Sequence, residues 1–216
     1  MDFDLARRNM VESQIRPNRV TDMHLIEAME ELPREAFVPA DLQGVAYTDT
    51  ALSLSNGRFL MEPMVMARLM QAASPGPSDL ALSVGCGTGY GPAVLAKLVG
   101  TVVAVEKDSS LAQHTQRILS ELGIDTVAVV EDDFKTGCPA QGPYDVIYFD
   151  GAVDEIPQSI TEQLAEGGRL VAVVLGRGTG RAMLMTRHQG VLSSVEVFDA
   201  TAVRLPGFEP PEKFVF

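Results

Sequence analysis

One stretch constrains this chain more than any other: a strand that runs straight into alternating glycines. Leu80-Ala81-Leu82-Ser83-Val84 is a short, mostly apolar run, followed at once by Gly85-Cys86-Gly87-Thr88-Gly89 and a helical stretch from Tyr90 to Leu98. Glycines here permit a tight turn and let the backbone approach a ligand closely, with the helix N-terminus just beyond. The pattern is GxGxG, not the dinucleotide GxGxxG. A second apolar run, Thr101 to Val105, leads to Glu106, twenty-one residues past Gly85. An acid at that place accepts hydrogen bonds from both hydroxyls of a ribose. The glycines alone also fit a plain strand-to-helix turn. Strand, loop, helix, strand and acid in this order argue for a nucleoside ligand.

The alternation continues downstream. Ser109 or Ser110 is predicted to cap a helix over Leu111 to Leu122, followed by runs at Thr126–Val130 and Val146–Phe149. A helical stretch at Pro157–Leu164 and a run at Arg169–Leu175 come next. Apolar strands alternating with helices predict an α/β fold, a doubly wound, mostly parallel sheet. Ala182–Thr186 and Ser194–Phe198 read as two further strands, a hairpin through Gln189-Gly190, and the tail from Leu205 to Pro211 as extended. The first third reads as helices packed on that sheet. Leu5 to Ile15 forms one helix, ended by Arg16-Pro17. Thr21 or Asp22 caps a second at His24–Leu32, which Pro33 stops, and a third covers Met64–Ala73. Asp49 to Gly57 reads as irregular. The breaker run Ser74–Ser78 divides residues 1–78 from 79–216, expected to pack as one compact unit.

The chain has 216 residues, 17 of them Lys or Arg and 29 Asp or Glu, for a net charge of −12. Phosphate neutralisation needs a basic face, so nucleic acid is not the expected partner. Cys86 and Cys138 form no CxxC and no cysteine–histidine cluster, so neither a disulfide framework nor a bound metal is expected. No run approaches a membrane span and the first residues lack an apolar stretch, which predicts a cytoplasmic protein.

Asp133, after the third strand, belongs on the same rim as Gly85 and Glu106, because ligands of open α/β sheets bind outside the carboxyl ends of the strands. It can accept from an adenine amino group there, or be a solvated acidic turn. These residues resemble class I S-adenosylmethionine-dependent methyltransferases, which have a Rossmann-like core. The resemblance narrows to protein L-isoaspartate O-methyltransferases through Pro33-Arg34-Glu35-Ala36-Phe37-Val38-Pro39, Ala46-Tyr47-Thr48-Asp49, Gly57–Pro63, Ala81–Tyr90 and Gly137-Cys138-Pro139. Tyr144–Ile147, Glu155-Ile156-Pro157 and Gln163–Val171 follow in the same order. It spans residues 5 to 205. The family moves a methyl group onto the side-chain carboxylate of isoaspartyl residues in peptides and proteins. The resemblance implies S-adenosylmethionine as cofactor, Gly85, Cys86, Gly87, Gly89 and Tyr90 as the cofactor loop, Glu106 with Lys107 at the ribose, and Asp133 with Phe134 at the adenine. Residues 1–78 would then supply a cover and the acceptor-site loop.

The acceptor side departs from the family. Where the family reads Gly-Gln-Thr-Ile-Ser-Gln-Pro, this chain has Gly57-Arg58-Phe59-Leu60-Met61-Glu62-Pro63. Met61 replaces the hydroxyl beside the transferred methyl, Ser83 replaces a loop acid, and Asp150 replaces a threonine at the end of the fourth strand. A carboxylate acceptor is already a nucleophile, so transfer needs positioning and water exclusion rather than a base. Arg58 reads either as a bidentate grip on the acceptor or as an exposed loop residue. Asp150 reads as a binder or base for an amine or hydroxyl acceptor, or as an acid on the cofactor's amino group. Met61 reads as packing or as a neighbour of the sulfonium, and Glu62 as an acid in a helix's first turn. Weak transfer to isoaspartyl groups is the expectation. A small hydroxyl or amine acceptor, or a cofactor-binding module without transfer, are the alternative readings.

Overall fold

The structure, a computed structural model, describes residues 1–54, 56–176 and 179–209. Helix α1 (Phe3–Met10) opens on Asp2, whose carboxylate accepts from the Leu5 amide, and runs into a π turn (Val11–Ile15) and a 3₁₀ turn (Arg16–Asn18) that contains Pro17 and ends at the left-handed Arg19. Helix α2 (Met23–Glu31) is capped by Asp22, which accepts from the His24 and Leu25 amides; Thr21 has no such role. Two-residue strands β1 (Leu52–Ser53) and β2 (Phe59–Leu60) form an antiparallel hairpin, whose first strand lies in the Asp49–Gly57 stretch that reads as irregular in the sequence. Asn56 and Gly57 both have positive φ, the conformation that makes an Asn-Gly pair turn two strands back on each other. Helix α3 (Pro63–Ala73) begins on its proline.

The expected alternation then follows as β3 (Leu80–Val84), α4 (Tyr90–Ala96), β4 (Thr101–Glu106), α5 (Ser109–Glu121) and β5 (Val127–Glu131). It continues as β6 (Tyr144–Val153), the short α6 (Gln158–Thr161), β7 (Leu164–Val174), β8 (Arg181–His188) and β9 (Val191–Asp199). The sheet order is β5-β4-β3-β6-β7-β8-β9, parallel through β7 and antiparallel for the last two strands, which Gln189-Gly190 join. The winding reverses between β3 and β6, which places the ligand crevice of such a sheet there. The expected serine caps of α5 are wrong: Asp108 fills that role, its carboxylate accepting from the Leu111 amide. The predicted helix to Leu164 stops at Thr161, and β7 begins at Leu164. Leu205 to Glu209 is not extended, since the Phe208 amide turns back to the Leu205 carbonyl; Pro210 and Pro211 lie outside the described residues.

One apolar core joins α1, α2 and α3 to one face of the sheet, with Met10, Leu25, Met29, Met66 and Met70 buried alongside Ala81, Tyr148 and Val171. A second fills the other face around Leu82, Val105, Phe149, Ile160 and Phe208. The Ser74–Ser78 breaker is clamped by Arg169 of β7. Its guanidinium donates to the Ala73 and Ser74 carbonyls at 3.0 and 2.8 Å and to Asp79 at 2.6 Å. Among the described residues no helix is long and apolar enough to cross a membrane. Hydrogen bonds to charged groups contribute about 1.5–3 kcal/mol each net of the exchange with water, and less where the group is part-exposed. Arg169→Ala should therefore lower unfolding stability by about 2 kcal/mol, read from urea denaturation midpoints at unchanged slope.

Candidate active site

The cofactor-side residues meet at the carboxyl ends of β3, β4 and β5. Gly85, Gly87 and Gly89 all have positive φ (77°, 56° and 99°), which is why no side chain is accommodated there. A Cβ on Gly89 would stand 2.7 Å from the Thr115 methyl of α5. The loop is held by the Gly85 amide donating to the Val105 carbonyl at 2.9 Å and the Thr115 hydroxyl donating to the Gly87 carbonyl at 2.7 Å. Glu106 is fully buried. Its Oε2 accepts from the Gly87 amide at 2.8 Å and its Oε1 from the Lys107 and Asp108 amides at 2.9 and 3.1 Å. Lys107 Nζ reaches Asp133 Oδ2 at 2.6 Å, and this ion pair holds the Asp133 carboxyl below its ordinary range. The Cys86 thiol in the loop is buried and pushed well up by that burial.

Arg58 does neither of the things its sequence position predicts. It is 3% exposed, so it is not a free loop arginine. Its Nη2 donates to the Gly85 carbonyl at 2.5 Å and lies 3.4 Å from Glu106 Oε2, while its guanidinium carbon sits 5.2 Å from the centre of the Phe134 ring. It thus points onto the glycine loop rather than outward to an acceptor. The hairpin follows: the Leu54 side chain comes within 3.8 Å of a Cβ placed on Gly87, and Asn56 donates to Asp108 Oδ2 at 2.5 Å. From the other side Leu205, 1% exposed, covers the crevice. A Cβ on Gly85 or Gly151 would stand 2.7 or 2.6 Å from its Cδ2. The cavity beside Arg58, Met61, Glu62, Asp150 and Leu205 admits about 20 Å³ of water-sized volume, roughly one water. Residues 57–63 form a plug, not an open groove.

Behind the plug lies a buried polar cluster. Strand β6 pairs with β3 only as far as Phe149 and shifts register along β7 before Ala152, so Asp150 sits inside the strand at an irregularity, not at its end. Asp150 Oδ1 accepts from the Tyr148 hydroxyl at 3.0 Å, and its Oδ2 lies 2.5 Å from where a Gly91 Cβ would be, against the first turn of α4. Burial pushes its carboxyl up to about 6, against the pull of Arg58, Tyr148 and Arg34. The Met61 sulfur is 3.8 Å from the Tyr148 hydroxyl, and Met61 itself is 4% exposed, so it packs and also borders the small cavity. Arg34, fully buried, donates to the Ala46 and Met61 carbonyls at 2.7 Å each and lies 4.8 Å from the Tyr90 ring centre. Glu62 precedes the first turn of α3 and caps nothing with its side chain; half-burial and Asp49 push its carboxyl up.

A model of the protein-L-isoaspartate(D-aspartate) O-methyltransferase family matches residues 6–205. The chain belongs to this family. Its members are S-adenosylmethionine-dependent methyltransferases. A protein-L-isoaspartate O-methyltransferase of Methanoregula boonei is 38% identical over 84% of this chain and 83% of its own length. One of Koribacter versatilis is 35% identical over 95% and 92%. A solved protein-L-isoaspartate O-methyltransferase superposes with a TM-score of 0.82 at 28% identity, covering 93% of this chain and 66% of that one.

The isoaspartyl methyltransferase fold leaves groups that fit the cofactor. Ser83 Oγ and Thr88 Oγ1 are buried beside the glycine cradle without any hydrogen-bond partner, and the Glu106 carboxylate faces the same crevice. What stands in the way is movable side chain, Arg58 and Leu205, not backbone. Sequence reasoning did not single out Leu205, the Asn56–Asp108 contact, or Tyr148 and Arg34 behind Asp150. Leu205, Arg34 and the Asn56–Asp108 contact act between distant segments, while Tyr148 meets Asp150 from two residues away because of the irregularity in β6. Because Asp150 titrates higher folded than unfolded, its contribution to stability is full below about pH 4 and is lost as pH rises through about 6. Between pH 4 and 7 the native protein should therefore lose stability relative to Asp150→Asn, read as melting temperatures of the two proteins across that range.

Proposed function

We propose that this chain transfers the methyl group of S-adenosylmethionine to isoaspartyl side chains of proteins, at a rate limited by its altered acceptor side. The observation that carries the reading is the glycine loop laced to a buried acid, Gly87 to Glu106, at the switch point of a sheet in a chain that matches the family over residues 6–205. Glu106 and Lys107 would hold the ribose and Asp133 and Phe134 the adenine. Gly85, Cys86, Gly87, Gly89 and Tyr90 would form the cradle, with Ser83 at its base. Bound there, the cofactor supplies a methyl group made electrophilic by its sulfonium. The protein's own task is to bring the acceptor carboxylate to near-attack distance in a site closed to water. Arg58, Met61 and Asp150 would border the transfer position. Residues 1–78 would act as cover and acceptor loop, 79–216 as the cofactor core, and two unpaired cysteines suit a reducing cytoplasm.

The acidic pair Glu62 and Asp150 faces the same small cavity, and an anionic acceptor meets both. Each raised pKa lessens that repulsion, since a protonated carboxyl repels nothing. Transfer to an isoaspartyl peptide should therefore be faster at pH 5.5 than at pH 8. Asp150→Thr with Met61→Ser should raise the rate at pH 8 by about tenfold to a hundredfold, roughly 1.4–2.7 kcal/mol of barrier. No transfer by either protein, with cofactor bound by both, would refute the isoaspartyl acceptor. Glu106→Gln should weaken binding of S-adenosylhomocysteine by about tenfold to a hundredfold in calorimetry, because one charged acceptor is lost. Cofactor should also slow tryptic cleavage within residues 1–73 if that region is its cover.

A further inference from the structure

We propose that Arg58 is an internal competitor for the cofactor, occupying its nucleoside position until the cofactor displaces it. This rests on the cofactor assignment just given.

Three of Arg58's contacts are groups assigned above to the cofactor. Its guanidinium is hydrogen-bonded to the carbonyl of Gly85, paired with the ribose acid Glu106 and set against the ring of Phe134. Two of these suit a guanidinium as well as a nucleoside. A carboxylate accepts from ribose hydroxyls or from N–H donors, and an aromatic face accepts an adenine or a cation. Glu106 already takes three backbone amides, and its remaining capacity on Oε2 faces Arg58. The two occupants exclude each other in space as well. The guanidinium lies against the Gly85 carbonyl, the Glu106 carboxylate and the Phe134 ring, the same three groups that the nucleoside would have to reach.

The arginine is also placed to leave. It sits on a hairpin of two two-residue strands. Beyond the ladder itself the tip is tied by the Leu54 amide to the Arg58 carbonyl at 2.8 Å and by Asn56 to the part-exposed Asp108. Its Nε is buried with no partner, so the inward position is incompletely satisfied. An acidic landing place lines the same cavity: Glu62 borders it together with Arg58, with Asp49 close to Glu62. Turned outward, the guanidinium stands on the acceptor side, where a carboxylate substrate would meet it. One side chain then serves two sites in turn, and cofactor must bind before acceptor. Arg58 is a positioning residue in this scheme.

The test is calorimetric titration of S-adenosylhomocysteine into the native protein, Arg58→Gln and Arg58→Lys, with melting temperatures measured without ligand. A site whose competent form is only a fraction populated binds more weakly by that fraction. Arg58→Gln should bind about tenfold more tightly than native, with Arg58→Lys between them, and should melt lower when ligand-free, since Glu106 loses its cation. In transfer assays Arg58→Gln should raise the KM for an isoaspartyl peptide while lowering that for the cofactor. A merely structural arginine would not move the two in opposite directions. Equal or weaker cofactor binding by Arg58→Gln overturns the proposal alone. Should Arg58→Gln fail to fold, Leu205→Ala with Arg58→Lys repeats the comparison, and no gain in affinity again overturns it. Binding by none of the folded proteins, native included, overturns both the proposal and the cofactor assignment beneath it.

Discussion

A carboxylate with no solvent around it has to be given donors, and Glu106 shows how much of this site follows from that requirement. Burying an ion costs several kcal/mol unless hydrogen bonds and countercharge replace water. The Gly87, Lys107 and Asp108 amides supply the first and Arg58 the second. Those amides come from two loops, after β3 and after β4, so satisfying one side chain fixes both loops relative to each other. The glycine loop keeps its positive φ values because it must wrap around this acid and leave its amides inward. Asp108, whose amide faces Glu106, then starts α5 and takes the hairpin tip through Asn56. The geometry of the whole rim follows from one buried charge.

The rim was legible in the sequence because its determinants are local. Apolar runs of five or six residues between glycines mark β3 and β4, and the acid ending β4 needs no tertiary information to be noticed. Where local signals compete, the sequence misleads. Ser109, Ser110 and Asp108 are all capping types, and only the chain's entry angle decides that Asp108 reaches back to the Leu111 amide. Asp150 reads as a strand end in the sequence because the apolar run Val146–Phe149 stops just before it. The strand nonetheless continues along β7, a partner the sequence does not reveal. Arg58 is the clearest case. A loop arginine carries no mark of which way it points. Its direction is set by Glu106, Gly85 and Phe134, each more than twenty-five residues away.

Charge balance explains why the acceptor side can differ so much from its relatives while the fold stays the same. The buried arginines and carboxyls near the crevice are Arg34, Arg58, Glu106 and Asp150, two of each. Arg34 is held by two carbonyls and the Tyr90 ring and has no carboxylate of its own, so its field is shared with Asp150. Asp150 replaces a neutral threonine of the family pattern, and Arg58 a neutral glutamine. The two departures together add one charge of each sign, and the Asp150 carboxyl is drawn down by Arg58 against the burial that pushes it up. Arg58 is compensated by Glu106 and also draws Asp150 down, so the added carboxyl does not stand alone in a low-dielectric place.

That balance has a consequence once a ligand enters. If Arg58 leaves the crevice for the surface, the site loses a positive charge beside two acids. A neutral occupant would leave Glu106 and Asp150 facing Arg34 alone, and Asp150 would take up a proton more readily. A sulfonium cofactor brings its own positive charge and restores the count, whereas its demethylated product does not. On the cofactor assignment the buried carboxylates that hold Arg58 inward would discriminate between the charged cofactor and its neutral product, and would favour the arginine's return after transfer.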